Sequence, residues 1–320
     1  MAYSEEYVNK LRTPHHFENV SFEDGDVLFV IDMQRDFVPN AHEIAPSTFA
    51  VRGGESIVFP IGVLIKQFLS KDRGYIIASR DYHPHDHKSF ATEYKEGLFP
   101  YHCIQGTPGS EIVPRIARVL GKKDGTGLHE QAYVVFKGLD SKVDSYGAVQ
   151  YCRKNRGTCV GGGCTLYSGS FILKCSGHRQ LEEDKKKYPE LGVVPGTGNV
   201  NAAPDIILRC SERKMEQSRA EKLHCVRDAQ NVFVVGLALD FCVIDTAINL
   251  RNTKKNVYVI VDLARPAFIE KIGAYVTPPE TLLKMADKAG VQFIELNNIK
   301  HLPRVSSNFY GFFGTNKAEA

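Results

Sequence analysis

The sequence contains no tryptophan and no apolar run approaching the roughly 18–20 residues that a membrane-spanning helix needs. Its formal net charge of +3 over 320 residues is too small to favour nucleic acid or an anionic membrane as a partner. Residues 1–13 lack the apolar stretch of a secretory signal, and the last four residues match no peroxisomal or retention signal. We therefore expect a cytoplasmic protein that acts on a small molecule, without nucleic acid or membrane, and the sequence leaves a homo-oligomer open.

The eight cysteines include no Cys-x-x-Cys pair, which argues against thiol redox chemistry. Because no export signal precedes them, we expect free thiols rather than disulfides. Six of the eight lie between residues 152 and 225, in a stretch that is also rich in glycine, serine and lysine. Their spacings match no zinc pattern. We interpret residues 150–228 as an insertion, partly disordered, within a larger domain.

Short apolar runs recur along the rest of the chain, separated by segments in which apolar residues follow a helical period. The runs are residues 27–31, 74–79, 131–136, 231–236, 256–261 and 291–296. The helical segments include residues 56–69, 243–250 and 281–289. Wholly apolar runs are typical of strands buried on both faces of a parallel sheet.

This alternation predicts a doubly wound α/β fold, with six parallel strands and helices on both faces. Residues 1–149 and 229–300 should form the two parts of that domain, and residues 301–320 should be a carboxyl-terminal tail. In such sheets ligands bind beyond the carboxyl ends of the strands, so polar residues at those ends are the candidates for a site.

Three candidates for nucleophilic catalysis follow three different predicted strands: Asp32, Lys137 and Cys242. An ammonium beside a thiol lowers the pKa of the thiol, and a carboxylate beside both can carry its proton. Cys242 also precedes a predicted helix, whose free N–H groups would favour a thiolate and a developing oxyanion. Each residue alone has an ordinary explanation, as a helix cap, a solvated charge or a core thiol.

A second set, Asp81, His83 and His102, offers one carboxylate and two imidazoles. That set suits Zn²⁺, Fe²⁺ or Mn²⁺ with positions left for water. The alternative is a solvated polar turn, since His85 and His87 lie in the same short tract. We rank these two histidines below His83 and His102 as ligands.

Several segments of the chain resemble, in order, the motifs of the nicotinamidases within the isochorismatase-like cysteine hydrolase family. They are residues 31–37, 79–84 with 89–91, 98–103 with 106–109, 136–138 with 144–146, and 235–243. The resemblance covers about residues 1–150 and 228–300. It implies hydrolysis of nicotinamide to nicotinate and ammonia through a thioester, a step in the salvage of NAD.

The resemblance also implies the roles of individual residues. Asp32, Lys137 and Cys242 would be the catalytic triad, and the backbone N–H groups of Ala238 and Cys242 would form the oxyanion hole beside a cis peptide between residues 237 and 238. Asp81, His83 and His102 would hold one divalent ion, zinc before iron or manganese, whose open face binds the pyridine nitrogen. Four aromatic residues would line the substrate pocket: Phe37, Phe99, Tyr146 and Phe241.

The chain departs from the family at two points. Tryptophan is common in the family at the positions of Tyr82 and Phe99, and this substitution should alter the shape of the pocket. The insertion after Tyr146 is much longer than the usual connection, and its role stays open.

Two other functions remain as alternatives. One is a different activity within the same family, such as a carbamoyl or ureido amidase or an isochorismatase, which would not need the metal set. The other is a non-catalytic scaffold that uses the insertion.

Overall fold

The structure is a computed structural model that describes residues 2–12, 17–41, 47–70, 73–92, 95–121, 128–138, 141, 144, 146–149, 224–269 and 272–304. The predicted insertion lies outside these residues except for its last few, 224–228. Most of the predicted carboxyl-terminal tail lies outside them too, so both interpretations stay predictions.

Twelve strands are present in the described part of the chain. In order they are β1 (Val20–Ser21), β2 (Val27–Ile31), β3 (Tyr75–Asp81), β4 (Ala91–Thr92), β5 (Lys95–Glu96), β6 (Ala132–Lys137), β7 (Asn231–Leu237), β8 (Asn256–Arg265), β9 (Phe268–Ile269), β10 (Ala274–Tyr275), β11 (Gln292–Ile294) and β12 (Ile299–Lys300).

The described α-helices are α1 (Ala2–Arg12), α2 (Gly54–Phe68), α3 (Pro114–Leu120), α4 (His224–Asp228), α5 (Ile244–Arg251) and α6 (Pro279–Ala289). Two 3₁₀ turns cover Pro108–Ser110 and Leu296–Asn298. A single π-helical turn, Leu239–Val243, joins β7 to α5. None of the described helices is long and apolar enough to cross a membrane.

The central sheet has six parallel strands in the order β11–β8–β7–β2–β3–β6. All six predicted strands are in it, so the predicted fold class is confirmed. The chain builds β2, β3 and β6 outward in one direction and then returns to add β7, β8 and β11 on the other side of β2. The order therefore reverses between β2 and β7, and doubly wound sheets bind ligands beside such a reversal.

Each face of the sheet is covered by its own apolar core, as the alternation of side chains in β2 illustrates. Leu28 and Val30 pack into the core beneath α2. Val27, Phe29 and Ile31 pack on the opposite face, in the core that includes residues of α5 and α6. Because every residue of β2 is buried, its five apolar side chains each contribute roughly 1.5–3 kcal/mol of burial energy, and the strand is held from both sides.

Helix α3 and two further helices, α1 and α4, were not among the predicted elements. Helix α1 buries Tyr7, Val8 and Leu11 in the second core, although its sequence is polar overall. Helix α4 buries Cys225 and Val226 in the same core directly before β7, so the described end of the predicted insertion belongs to the packed domain. Helices α1 and α4 carry too few apolar residues to reveal a helical period in the sequence.

We predict that Gly236→Ala destabilises the protein far more than Gly25→Ala. Both glycines have positive φ, 113° and 89°, where a Cβ is strained. A Cβ on Gly236 would also collide with the backbone of Ile31 in the neighbouring strand, whereas one on Gly25 would meet nothing within 4 Å. Chemical denaturation should show a loss of several kcal/mol for Gly236→Ala against about 1 kcal/mol for Gly25→Ala. Equal losses of stability in the two variants would show that the backbones of β7 and β2 leave room for a Cβ at position 236.

Candidate active site

The predicted triad residues meet at the carboxyl edge of the sheet. Asp32 directly follows β2, while Asp81 and Lys137 end β3 and β6 and are paired in register. Cys242 lies in the π-helical turn after β7, two residues before α5 begins. Because parallel strands share one carboxyl edge, residues more than 200 positions apart in sequence converge there.

Lys137 is at the centre of this group and is completely buried. Its Nζ lies 2.7 Å from Asp32 Oδ2, forms a short ion pair with Asp81 Oδ1, and lies 3.2 Å from Cys242 Sγ. Asp32 is held in turn by Ser79, whose hydroxyl donates to Oδ1 at 2.6 Å. The ammonium therefore has a partner in each of three directions.

These contacts determine the protonation states. Burial alone would lower the pKa of Lys137, but Asp32 and Asp81 raise it well above its usual value. Burial raises the pKa of Asp32 to about 6, against the opposing effect of Lys137. Burial also raises the pKa of the Cys242 thiol, and the lowering effect of Lys137 is outweighed. Lysine alone thus does not turn Cys242 into a thiolate, and the thiol needs a base.

The predicted metal set is also brought together. One ligand atom from each of Asp81, His83 and His102 lies within 4.8 Å of the others, and all three residues are buried. His83 Nδ1 lies 3.0 Å from the Gly138 carbonyl and His102 Nδ1 lies 2.8 Å from the Pro100 carbonyl. With each Nδ1 facing a carbonyl oxygen, Nε2 is the atom that each ring can offer to a metal ion once it has lost its proton.

The charges around this set fit a cation. Burial would raise the pKa of Asp81, but Lys137 and His83 together hold it below its usual value, so the carboxylate is ionised. Burial and the neighbouring His83 lower the pKa of His102 to about 4, so its ring is neutral. Burial would lower the pKa of His83, but Asp81 raises it. A divalent ion needs an ionised carboxylate and neutral imidazoles, so its binding would displace a proton from the His83 ring.

His87, ranked lower from sequence, is buried and stacks on His83 with ring centroids 4.1 Å apart. Its Nδ1 lies 2.7 Å from the hydroxyl of Ser89. With His83 and Asp144 it forms another cluster that could hold an ion, but that cluster shares His83 with the first. His85 belongs to no such cluster among the described residues.

The predicted cis peptide between Leu237 and Ala238 is present. The carbonyl of Ala238 accepts hydrogen bonds from the N–H groups of Phe241 and Val243, at 3.1 Å each. This fixes the start of the π-helical turn that carries Cys242. Ala238 and Cys242 both line the same cavity, as an oxyanion hole built from them would require.

That cavity opens to solvent, and its empty space is about 380 Å³ with the open mouth included. All four predicted aromatic residues line it, together with the metal set and Cys242. Phe99 packs edge-on against Phe241 at a centroid distance of 5.6 Å, and Tyr146 packs against Phe241 at 5.4 Å. The walls are flat aromatic surfaces and the floor is polar, which suits a planar ring with a polar substituent.

Sequence reasoning missed four residues of the cavity wall: Phe49, Val51, Asp144 and Ala267. Phe49 contacts Phe37, Phe99 and His102 at centroid distances of 5.3–5.8 Å. It lies in a segment without regular periodicity, so no pattern marked it. Asp144 lies within one of the family-like segments, and this was the only signal that could have identified it.

Asp240 is a buried acid beside this wall. Its Oδ1 accepts a hydrogen bond from the N–H of Ala267 at 2.8 Å, and its Oδ2 has no hydrogen-bond partner among the described residues. The contact ties the π-helical turn to the loop after β8. Burial raises the pKa of Asp240 to about 7.

Comparison with known proteins agrees with this geometry. Residues 26–123 match the model of the isochorismatase domain. The chain is 24% identical over 252 residues to a nicotinamidase from Acinetobacter baylyi, a match that covers 74% of this chain and 80% of that protein. It is 32% identical over 136 residues to a nicotinamidase from Escherichia coli, where the match covers 38% of this chain and about half, 55%, of the relative.

Among solved structures, the yeast nicotinamidase Pnc1p bound to the inhibitor nicotinaldehyde superposes with a TM-score of 0.51 at 20% sequence identity. The alignment covers 84% of this chain and 99% of that one. At this identity the likeness establishes the fold.

Fold and site together define a doubly wound α/β domain with a Cys–Lys–Asp centre at the carboxyl edge of its sheet. With the domain match and the relatives above, the chain is similar to proteins of the isochorismatase-like family.

We predict that Asp240→Asn alters the dependence of stability on pH. The pKa of Asp240 is about 7 in the folded protein but near ~3.9 in an unfolded chain. The folded state therefore binds the proton more tightly, and the contribution of this group to stability falls as the pH rises between these values, on the order of 1 kcal/mol per pH unit. Asparagine does not titrate, so the variant should not lose stability through this position as the pH rises.

Melting temperatures of the two proteins, compared at about pH 5 and about pH 8, test this. The melting temperature of the variant should rise relative to that of the wild type as the pH rises. A difference that stays constant across the range would show that Asp240 does not titrate there.

Proposed function

We propose that the protein is an amidohydrolase that converts nicotinamide, or a close pyridine carboxamide, to the acid and ammonia, and so serves the salvage of NAD. The observation that carries the proposal is the contact of Lys137 with Asp32, Asp81 and Cys242, beside an aromatic cavity that Asp81 and Cys242 line. The nicotinamidases among its relatives support the substrate class.

In the first half of the reaction, Asp32 takes the proton of the Cys242 thiol. A carboxylate whose pKa is about 6 is well matched to this transfer near neutral pH. The sulfur attacks the carboxamide carbon, and the oxygen becomes an oxyanion that the N–H groups of Ala238 and Cys242 stabilise. The C–N bond then breaks, Asp32 returns the proton to the leaving nitrogen, and ammonia departs from a thioester.

In the second half, water attacks the thioester carbon and gives a proton to Asp32. The C–S bond breaks, the acid product leaves, and the sulfur regains its proton from Asp32. Lys137 stays protonated throughout, because two carboxylates raise its pKa, and it stabilises the negative charge that moves between Asp32 and the sulfur.

Asp81, His83 and His102 would hold one divalent ion, with zinc first and iron or manganese as alternatives. When bound, the ion supplies a Lewis acid that can fix a ring nitrogen of the substrate. The aromatic residues would orient the ring, and Phe99 and Tyr146 would exclude water from its faces.

The second candidate is an amidase of the same family that acts on a carbamoyl or ureido group. The Cys–Lys–Asp centre would serve it equally well. The metal set favours the pyridine substrate, because a carbamoyl substrate offers no ring nitrogen for the ion to hold.

We predict that Cys242→Ala abolishes ammonia release from nicotinamide, because no other thiol lines the described part of the cavity to form the thioester. Cys225→Ala is the matched control, since this cysteine is also buried and free but lies in α4, outside the site. Coupled assay of ammonia should show a loss of at least about a thousandfold for the first variant and little change for the second. Robust turnover by Cys242→Ala would refute the nucleophile.

We further predict that the purified protein carries about one divalent ion per chain and that a His83→Ala, His102→Ala double variant carries none. Chelator should remove both the ion and the activity toward nicotinamide, and zinc should restore both. The control is His85→Ala, which changes a histidine of the same tract outside the clusters. A wild type that is free of metal and fully active toward nicotinamide would refute the role of the metal set.

A further inference from the structure

The sheet leaves a gap beside Asp81. Strand β2 pairs with β3 only as far as Val30 opposite Ala78, because the chain turns away at Asp32, where φ is 49°. Strand β6 continues to pair with β3 to the end, as far as Asp81 opposite Lys137. The last residue of β3 therefore has a neighbouring strand on one side only.

The side of the Asp81 backbone that has no neighbouring strand faces this gap. Backbone N–H groups alternate in direction along a strand, and the N–H of Tyr82 bonds to the Lys137 carbonyl on the β6 side. The N–H and C=O of Asp81 must then point to the β2 side. A buried peptide group without a partner there would cost about 1–3 kcal/mol.

The side chain of Gln34 fills the gap. Its Oε1 accepts from the N–H of Asp81 at 2.8 Å, and its Nε2 donates to the Asp81 carbonyl at 2.7 Å. The second Nε2 hydrogen goes to the carbonyl of Ser110 at 2.8 Å. One carboxamide thus replaces the missing stretch of β2, with both of its N–H groups and its oxygen engaged, and the residue is completely buried.

Asp81 is the residue whose placement matters most at this site. Its Oδ1 pairs with Lys137, and its Oδ2 lies 3.5 Å from His83 Nε2. A rotation of its backbone would move one oxygen away from the lysine or the other away from the histidines. Pairing with β6 on one side and with Gln34 on the other prevents that rotation.

We propose that Gln34 is a positioning residue, whose amide completes the sheet beside Asp81 and so holds that carboxylate at once toward Lys137 and toward the metal set. The inference rests on the proposed function only in taking Asp81, His83 and His102 as the metal ligands. Gln34 touches neither the cavity nor the reacting atoms, so its effect passes through Asp81.

The test uses Gln34→Met in the full-length chain, because methionine has a similar volume but cannot bond to the backbone of Asp81. Zn²⁺ is titrated into metal-free protein against a chromophoric chelator. Loss of a residue that orients a ligand should weaken zinc binding by about 10- to 100-fold. The control is Gln67→Met, which removes a single amide hydrogen bond to Pro303 at the end of α2 and should bind zinc as the wild type does.

A folded Gln34→Met protein that binds zinc within about twofold of the wild type would overturn the proposal. If the wild type itself binds no zinc, the proposed metal set is wrong, and this outcome is distinct from the first. Should Gln34→Met fail to fold, hydrogen exchange in the metal-free wild type decides. The Asp81 amide should exchange as slowly as that of Ile77 within β3, and fast exchange at Asp81 alone would show that Gln34 does not clamp it.

Discussion

The site depends on the burial of one ammonium group. Lys137 is inaccessible to solvent, and a buried charge of this kind is tolerated only when partners replace its water. Asp32, Asp81 and Cys242 are those partners, and each comes from a different strand or turn. The requirement to satisfy this single charge therefore ties β2, β3, β6 and the turn after β7 to one point.

Asp81 links the two halves of the site. One of its oxygens neutralises Lys137 and the other faces His83, so the proposed nucleophile and the predicted metal set share a carboxylate. A change in charge at the histidines alters the electrostatic energy of the Lys137 ammonium, because the groups are close together in a region of low effective dielectric. Such sharing explains why the surrounding framework, including Gln34 and Ser79, consists of buried polar groups bonded to backbone or carboxylate.

The sequence predicted the six-strand sheet and the residues at its carboxyl edge, because apolar runs and strand ends are local patterns. It did not predict α1, α4 or Phe49, whose positions depend on packing against distant parts of the chain. The effect of Lys137 on Cys242 could be anticipated from chemistry, but the opposing burial and the second carboxylate, Asp81, arise only from the folded arrangement.

A resting thiol has a physical rationale. With Asp32 and Asp81 ionised around Lys137, a thiolate on Cys242 would place a third negative charge beside one positive charge inside an apolar-walled cavity. The low-energy state keeps the proton on sulfur and leaves Asp32, with its pKa raised to about 6, as the acceptor. In the proposed reaction, charge would move onto the sulfur only when a substrate carbonyl is present to accept it and the N–H groups of Ala238 and Cys242 can stabilise the resulting oxyanion. The same burial that disfavours the free thiolate thus confines its formation to the occupied site.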